Sequence, residues 1–276
     1  SITSWCKRTS NGGSHVMSAN NDTISKTVTV TVLLCVICSV VVSAAAVILK
    51  PKQVANKDLD RKTNILAAAG LLQPGKSVDE LFAQITTKVV DMETGKFTDA
   101  VDGAKFDIQK AAKDPALSKA LPREKDKASI KRQPNYMPVY VVEGNNGALD
   151  KIILPVHGYG LWSTLYGFLA LEGDLNTVVG LGFYSHAETP GLGGEVDNPA
   201  WKAIWPGKKV YANDMQKPEL QLIKGKVDAS TANAEYKVDG LSGATLTGNG
   251  VTNLVQFWMG NNGYAPFLAN LRAGDA

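Results

Sequence analysis

The chain has 276 residues, enough for one sizeable domain and an appendage. Apolar residues make up 44 % and charged residues 20 %, a balance that suits a folded core and excludes wholesale disorder. The net charge of +3 shows no concentrated basic stripe: the most basic stretch, residues 105–132, holds nine Lys/Arg against four interspersed Asp/Glu. That pattern reads as a solvated face, so no nucleic-acid partner is expected.

Residues 1–16 are polar, Gly/Ser-rich and without hydrophobic period, and are expected to be an extension or leader, with Met17 as the natural start and 17–27 as a short tail. Residues 28–49 carry no charge. As a helix rising about 1.5 Å per residue they would be roughly 33 Å long, against a hydrocarbon core of about 30 Å. A helix is also the way for a single segment to satisfy its backbone in lipid, so a transmembrane helix is expected here. The alternative is a cleaved signal peptide, for which Ser43-Ala44-Ala45-Ala46 offers small residues, although the apolar run exceeds a usual signal core. The three cysteines, Cys6, Cys35 and Cys38, make no disulfide framework. Cys35 and Cys38 share a helix face, but two thiols are an incomplete metal site and Cys is also a common small packing residue. Lys26 precedes the span, whereas Lys50, Lys52, Lys57, Arg61 and Lys62 follow it, diluted by Asp58 and Asp60. Counting charges places the following domain in the cytoplasm, a rule that loses force before long domains.

Residues 50–135 read as a helical and linker region. Ile65, Leu66, Ala69 and Leu72 follow helical spacing up to Gln73-Pro74-Gly75, and Val78, Leu81, Phe82, Ile85 and Val89 continue a second apolar stripe, so 63–92 is predicted helical. Residues 95–135 are mixed and charged, with short helices and loops expected. From residue 136 the character changes. Segments 139–143 and 149–154 are β-rich and flank Gly144-Asn145-Asn146-Gly147, a hairpin signal. Alternating Trp162, Thr164, Tyr166 and Phe168 predict a strand over 161–171; further strands are predicted over 177–185 and 234–238. All fold-forming strands are thereby placed beyond residue 94. Val251, Leu254, Val255, Trp258 and Met259 then mark one face of an amphipathic helix. The sum is an α+β fold: a transmembrane helix, then a core over 136–276 of antiparallel sheet with packed helices.

Two stretches invite chemistry. Asp239-Gly240-Leu241-Ser242-Gly243-Ala244-Thr245 lies between a predicted strand and the amphipathic helix. Small residues let the backbone approach a ligand, and a helix N-terminus suits a phosphate. Ser242, Thr245 and Thr247 add hydroxyls; the same residue types also serve as ordinary helix caps. His186-Ala187-Glu188-Thr189-Pro190-Gly191-Leu192-Gly193-Gly194 follows a strand directly, and its Glu188, Thr189 and backbone N–H groups suit a polar heterocycle, a β-turn without ligand being the alternative. His157 and His186 stand alone, and no cluster has metal-ligand spacing in the soluble part.

The Asp-Gly-x-Ser-Gly-Ala-Thr run ending at Thr245 resembles the flavinylation motif of the FMN-binding domain family, and Glu188-Thr189-Pro190-Gly191-Leu192-Gly193 resembles that family's second signature. Gly158-Tyr159-Gly160-Leu161-Trp162-Ser163 and Gly194-Glu195-Val196-Asp197-Asn198 are similar to the C-subunit family of the sodium-translocating NADH:quinone reductases rather than to its Rnf-type cousin. The resemblance runs from Met17 to the C-terminus. It implies FMN esterified through its phosphate to Thr245 by a separate magnesium-dependent flavin transferase, with Asp239, Gly240, Ser242, Gly243 and Ala244 forming the rest of the motif. Tyr159, Leu161, Trp162, Glu188, Thr189, Gly191 and Leu192 are the candidates for noncovalent FMN contacts, core packing being the alternative for Trp162. It further implies an electron relay between redox centres of a sodium-pumping NADH:ubiquinone oxidoreductase, with the other membrane subunits as partners. No G-x-G-x-x-G follows a strand, so no NADH site is expected on this chain. Because the transferase is an exported enzyme, the flavin domain is expected on the periplasmic side of the bacterial inner membrane, against the charge count. An Rnf-type subunit, a non-catalytic membrane-anchored flavin-binding module and a stand-alone flavin reductase are the competing readings.

Overall fold

The structure is a computed structural model that describes residues 23–144, 147–215 and 217–276. The stretch read as an extension or leader, and Asn145-Asn146 of the hairpin signal, lie outside the described residues. Contacts divide the chain into a leading unit that ends at Val54 and a second unit, Ala55–Ala276. Helix α1 (Ile24–Ala68) includes the whole apolar run and continues through Pro51. Within the leading unit, Thr29, Thr31 and Ser39 donate their hydroxyls to the carbonyls of Ser25, Thr27 and Cys35, at 2.8, 2.8 and 2.7 Å. These three hydroxyls thus find their partners on their own helix, as an apolar surrounding requires. The helix is long and apolar enough to cross a membrane, and Cys35 and Cys38 are exposed free thiols on it.

The second unit is α+β. Its strands are β1 (Ile85–Asp91), β2 (Lys96–Phe97), β3 (Ser118–Ala120), β4 (Arg132–Pro134), β5 (Tyr136–Glu143), β6 (Leu149–Tyr159), β7 (Thr164–Glu172), β8 (Val178–Ser185), β9 (Gln221–Leu222) and β10 (Lys237–Val238). Its further helices are α2 (Val78–Phe82), α3 (Ile108–Ala111), α4 (Pro199–Lys202), α5 (Thr245–Met259) and α6 (Ala265–Ala273). The main sheet has the order β2-β1-β5-β6-β7-β8, every neighbour antiparallel.

Both sheet faces are covered, which explains why β6 reads Ile152-Ile153-Leu154 without alternation. On one face, Ile65, Leu66, Ala68 and Ala69 at the end of α1 pack with Tyr140, Ile153, Phe168 and Ala170. On the other, Val251, Leu254, Val255, Trp258 and Met259 of α5 pack with Met137, Val139, Ile152, Leu154 and Leu165. The five positions predicted for the helix face are all buried. Each aliphatic one contributes roughly 1.5–3 kcal/mol. Leu254 is pressed onto β6 so closely that a Cβ at Gly158 would lie 2.5 Å from its own Cβ. Removing that side chain would cost about 2–5 kcal/mol.

Four expectations are corrected. The stripe Val78 to Val89 is not one helix: α2 stops at Phe82, and Ile85 and Val89 belong to β1, which pairs with β5 from Ile85↔Val142 to Asp91↔Tyr136. Ile85-Thr86-Thr87-Lys88-Val89-Val90 is dominated by β-branched residues, which favour a pleated surface. One sheet strand therefore precedes residue 94. Helix α1 ends at Ala68, before the Pro-Gly pair, where Gly70 takes φ +65° and its N–H bonds to the carbonyl of Ala67. The strand predicted over 161–171 begins only at Thr164, because Leu161–Ser163 form a bend. Residues Ala234–Tyr236 form a 3-10 turn, leaving two residues of the predicted 234–238 strand as β10.

Candidate functional site

Three segments meet beside the N-terminus of α5: the β6–β7 connection, residues 159–163; the loop after β8, residues 186–194; and the stretch from Asp239 into the first turns of α5. Glycines permit the approach. A Cβ at Gly250 would fall 2.5 Å from the carbonyl oxygen of Tyr159, and one at Gly193 would fall 2.5 Å from Thr247 Oγ1.

Glu188 joins all three segments. Its side chain is buried, with 5 % of the residue's surface exposed. Oε1 accepts from the backbone N–H groups of Leu161, Trp162 and Ser163 at 3.1, 3.0 and 3.2 Å. Oε2 accepts from the Thr247 hydroxyl at 2.7 Å. Burial pushes this carboxyl up, but the Thr247 hydroxyl and the three N–H groups outweigh it and leave the group below its ordinary value. The loop is held from behind as well. The Glu188 N–H donates to His186 Nδ1 at 3.2 Å, and His186 Nε2 lies 2.7 Å from Asp197 Oδ2. The ring proton therefore sits on Nε2 and points at Asp197. Ser163 Oγ accepts the N–H of Ala187 at 2.7 Å.

The Asp239–Thr245 stretch is anchored differently. Asp239 Oδ1 accepts the N–H of Val227 at 2.8 Å, and its carbonyl accepts Trp201 Nε1 at 3.0 Å. Gly240 passes so close to the neighbouring chain that a Cβ would sit 2.2 Å from the Ile223 carbonyl oxygen. Leu241 is buried, Ser242 and Gly243 turn outward, and Gly243 takes φ +72° beneath Leu192. The N-cap of α5 is Ala244, which supplies no side-chain hydrogen bond. The ordinary capping role for Ser242 or Thr245 is thereby removed. Thr245 is the first residue of the helix and is exposed, whereas Thr247 is buried. The free N–H groups of an uncapped 15-residue helix, next to an exposed hydroxyl, suit a phosphate ester.

The three converging segments carry a rim of exposed apolar side chains: Tyr159, Leu161 and Trp162 (65 % exposed), Leu192 over Gly243, and Leu246 (59 % exposed) next to Thr245. In the second unit the other large exposed apolar side chains are Leu59 and Leu72 alone among the described residues. Trp162 is therefore not a core residue. Thr189 and Gly191 are exposed on the same loop. The rim and the uncapped helix end together fit a flat, largely apolar heterocycle joined through a phosphate. Leu246 and the clasp between Thr247 and Glu188 were not legible as such. Thr247 precedes Val251 by one helical turn, which is the signal that places it on the buried face.

The profile of the FMN-binding domain family matches residues 160–260. The C subunit of the Na(+)-translocating NADH-quinone reductase from Pseudomonas aeruginosa is 57 % identical over 94 % of this chain and all of its own length. Its namesake from Vibrio parahaemolyticus is 49 % identical over 94 % of this chain and 99 % of its own. The chain belongs to the C-subunit family of the Na(+)-translocating NADH-quinone reductases. Among solved structures, NqrC of Shewanella oneidensis is similar with a TM-score of 0.72 at 35 % identity, over 79 % of this chain and 99 % of that one. The C subunit from Parabacteroides distasonis gives 0.60 at 25 % identity, over 80 % and 95 %. The family match spans all three converging segments except Tyr159, and so covers both flavin signatures.

Proposed function

We propose that Thr245 carries FMN as a phosphoester and that the chain is the flavin-bearing electron carrier of a sodium-pumping NADH:ubiquinone reductase, anchored by α1. The observation that carries this reading is the exposed Thr245 hydroxyl at an uncapped helix start, inside a rim of exposed apolar side chains. When bound, FMN supplies one- and two-electron chemistry, and attachment through its phosphate leaves the ring free. Its potential is then set by what the protein places around it. Tyr159, Leu161, Trp162, Leu192 and the backbone at Thr189 and Gly191 offer apolar cover and polar edges. The α5 N-terminus offers N–H groups and a positive dipole end to the phosphate. Attachment is the work of a magnesium-dependent flavin transferase, to which Thr245 presents its oxygen. NADH is oxidised on another subunit, and a single helix makes no sodium path, so the other membrane subunits supply both.

Thr245→Val, produced with the transferase, is expected to fold and to show no flavin fluorescence in a denaturing gel; a bright band from that variant sinks the assignment. Removing residues 1–49 is expected to release a soluble domain that is still flavinylated; retention in the membrane pellet without aggregation would reveal a second membrane contact. The flavin domain lies on the periplasmic side in this reading. Protease added to spheroplasts is then expected to digest it, and protection until lysis would reverse the topology.

A further inference from the structure

Resting on the proposed flavin attachment, we infer that Glu188 is a positioning residue: from inside the fold it pins the backbone under Trp162 and so sets how that ring meets the flavin, without touching the flavin itself. The pin has two ends. Three successive N–H groups, of Leu161, Trp162 and Ser163, converge on Oε1. None of them belongs to a strand, so the carboxylate orders this bend together with the Gly160 N–H, which donates to the Ser163 carbonyl at 2.8 Å. Oε2 takes the hydroxyl of Thr247, two residues beyond the attachment point. Bend and helix start are thus referenced to one buried group.

The carboxylate has no room to shift. A Cβ at Gly160 would lie 2.6 Å from Oε1, and one at Gly193 would lie 2.8 Å from Oε2, so both neighbouring loops are packed against it. Its own backbone is fixed by His186, which Asp197 holds in turn, with Lys202 Nζ 3.4 Å from Asp197. The side chain emerging from the pinned bend, Trp162, is the most exposed large apolar residue of the rim. An exposed indole on a rigid backbone presents its face in one pose, and a preorganised contact costs no ordering on binding. The negative charge of a carboxylate beneath the bend would also disfavour added electron charge on a flavin held there, tending to lower its reduction potential.

The experiment uses full-length protein loaded by the transferase, in wild type, Glu188→Ala, Glu188→Gln, Thr247→Val, Thr247→Ser, Trp162→Leu and the double variant Trp162→Leu/Glu188→Ala. Native-state flavin emission relative to the denatured protein, the midpoint potential and covalent loading are measured on each. Glu188→Ala is expected to raise native emission as Trp162 loses its quenching pose, and Trp162→Leu to raise it too, with no further rise in the double variant. Glu188→Gln, which keeps an acceptor but no charge, is expected to shift the midpoint upward with emission near wild type. Thr247→Val is expected to raise emission partly, and Thr247→Ser to restore it. In flavin-free protein, the amides of residues 161–163 are expected to exchange faster in Glu188→Ala. Wild-type emission and midpoint in the folded Glu188 variants, or independent effects of Glu188 and Trp162, would overturn the inference. If Glu188→Ala does not fold, Glu188→Gln and the Thr247 pair decide it. A wild-type protein without a fluorescent band in a denaturing gel overturns the flavin reading itself, an outcome separate from a loaded protein whose Glu188 variants behave as wild type.

Discussion

The loop at 186–194 and the stretch at 239–245 are built from similar materials, small residues with one acid and a hydroxyl or two, yet they face opposite ways. In the first, the acid turns inward and is saturated by four donors from other segments. In the second, the acid holds a distant backbone N–H, the glycine beside it is jammed against the chain, and the threonine is left free at the surface. One loop holds and the other presents. Composition does not distinguish them; what does is which residue finds donors once the chain is folded.

The comparison breaks most severely at Gly240. Gly240→Ala would drive a methyl into the backbone carbonyl of Ile223 and is expected to destabilise the domain by about 3 kcal/mol in denaturant titration. A loss below the noise would mean that the presenting stretch is not anchored as described.

A buried histidine in the sheet extends the contrast to pH. His157 on β6 stacks on Tyr166 and against Trp258, has no partner at Nε2, and burial pushes it from 6.5 down to about 4. Its folded value lies below its unfolded one, so the stability it confers is complete above pH 6.5. It is lost as pH falls toward 4, about 3 kcal/mol in all. His157→Phe is expected to flatten that part of the pH–stability curve; an unchanged curve would show that the ring is solvated.

Gly193→Ala is expected to cost about 2 kcal/mol, because its methyl separates Thr247 from Glu188. The same clasp has its own acid window. Glu188 sits below its ordinary 4.5 despite burial, so its contribution is present above that pH and fades as pH falls through the folded value. Glu188→Gln is expected to differ from wild type at neutral pH and to converge with it in acid, as read by the melting temperature. Divergence in acid would invert the assignment. The smallest effect is expected at Gly191, where φ is +74° and no atom lies within 4 Å of an added Cβ. Gly191→Ala should cost only the left-handed strain, about 1 kcal/mol.

The sheet core, the α5 face and both glycine-rich stretches were legible because local periodicity and turn chemistry carry them. β1 was not. Its Ile85 and Val89 stand four apart, continuing the spacing of Val78, Leu81 and Phe82, and that spacing masks the β-branched run, itself only a weak local preference for a strand. The deciding interaction is pairing with β5, some fifty residues on. Trp162 was misleading for a related reason. It continues the alternation of Thr164, Tyr166 and Phe168, but the chain leaves the sheet at Ser163 because the N–H groups of 161–163 go to Glu188 instead of to a neighbouring strand. That choice depends on a carboxylate 25 to 27 residues away, beyond what a pattern can see.

The order of the sheet has a consequence for synthesis. β5, β6 and β7 each pair with the next strand in the chain, so the β5–β8 meander can assemble as it emerges. The face that α5 covers stays bare until the last few tens of residues arrive, and only then does Thr247 reach Glu188. A chain stalled short of residue 260 would carry Thr245 on an undocked segment with no rim around it. Under the proposed attachment at Thr245, full-length chains are expected to be modified far better than stalled ones, so that the flavin would mark only molecules whose folding has finished.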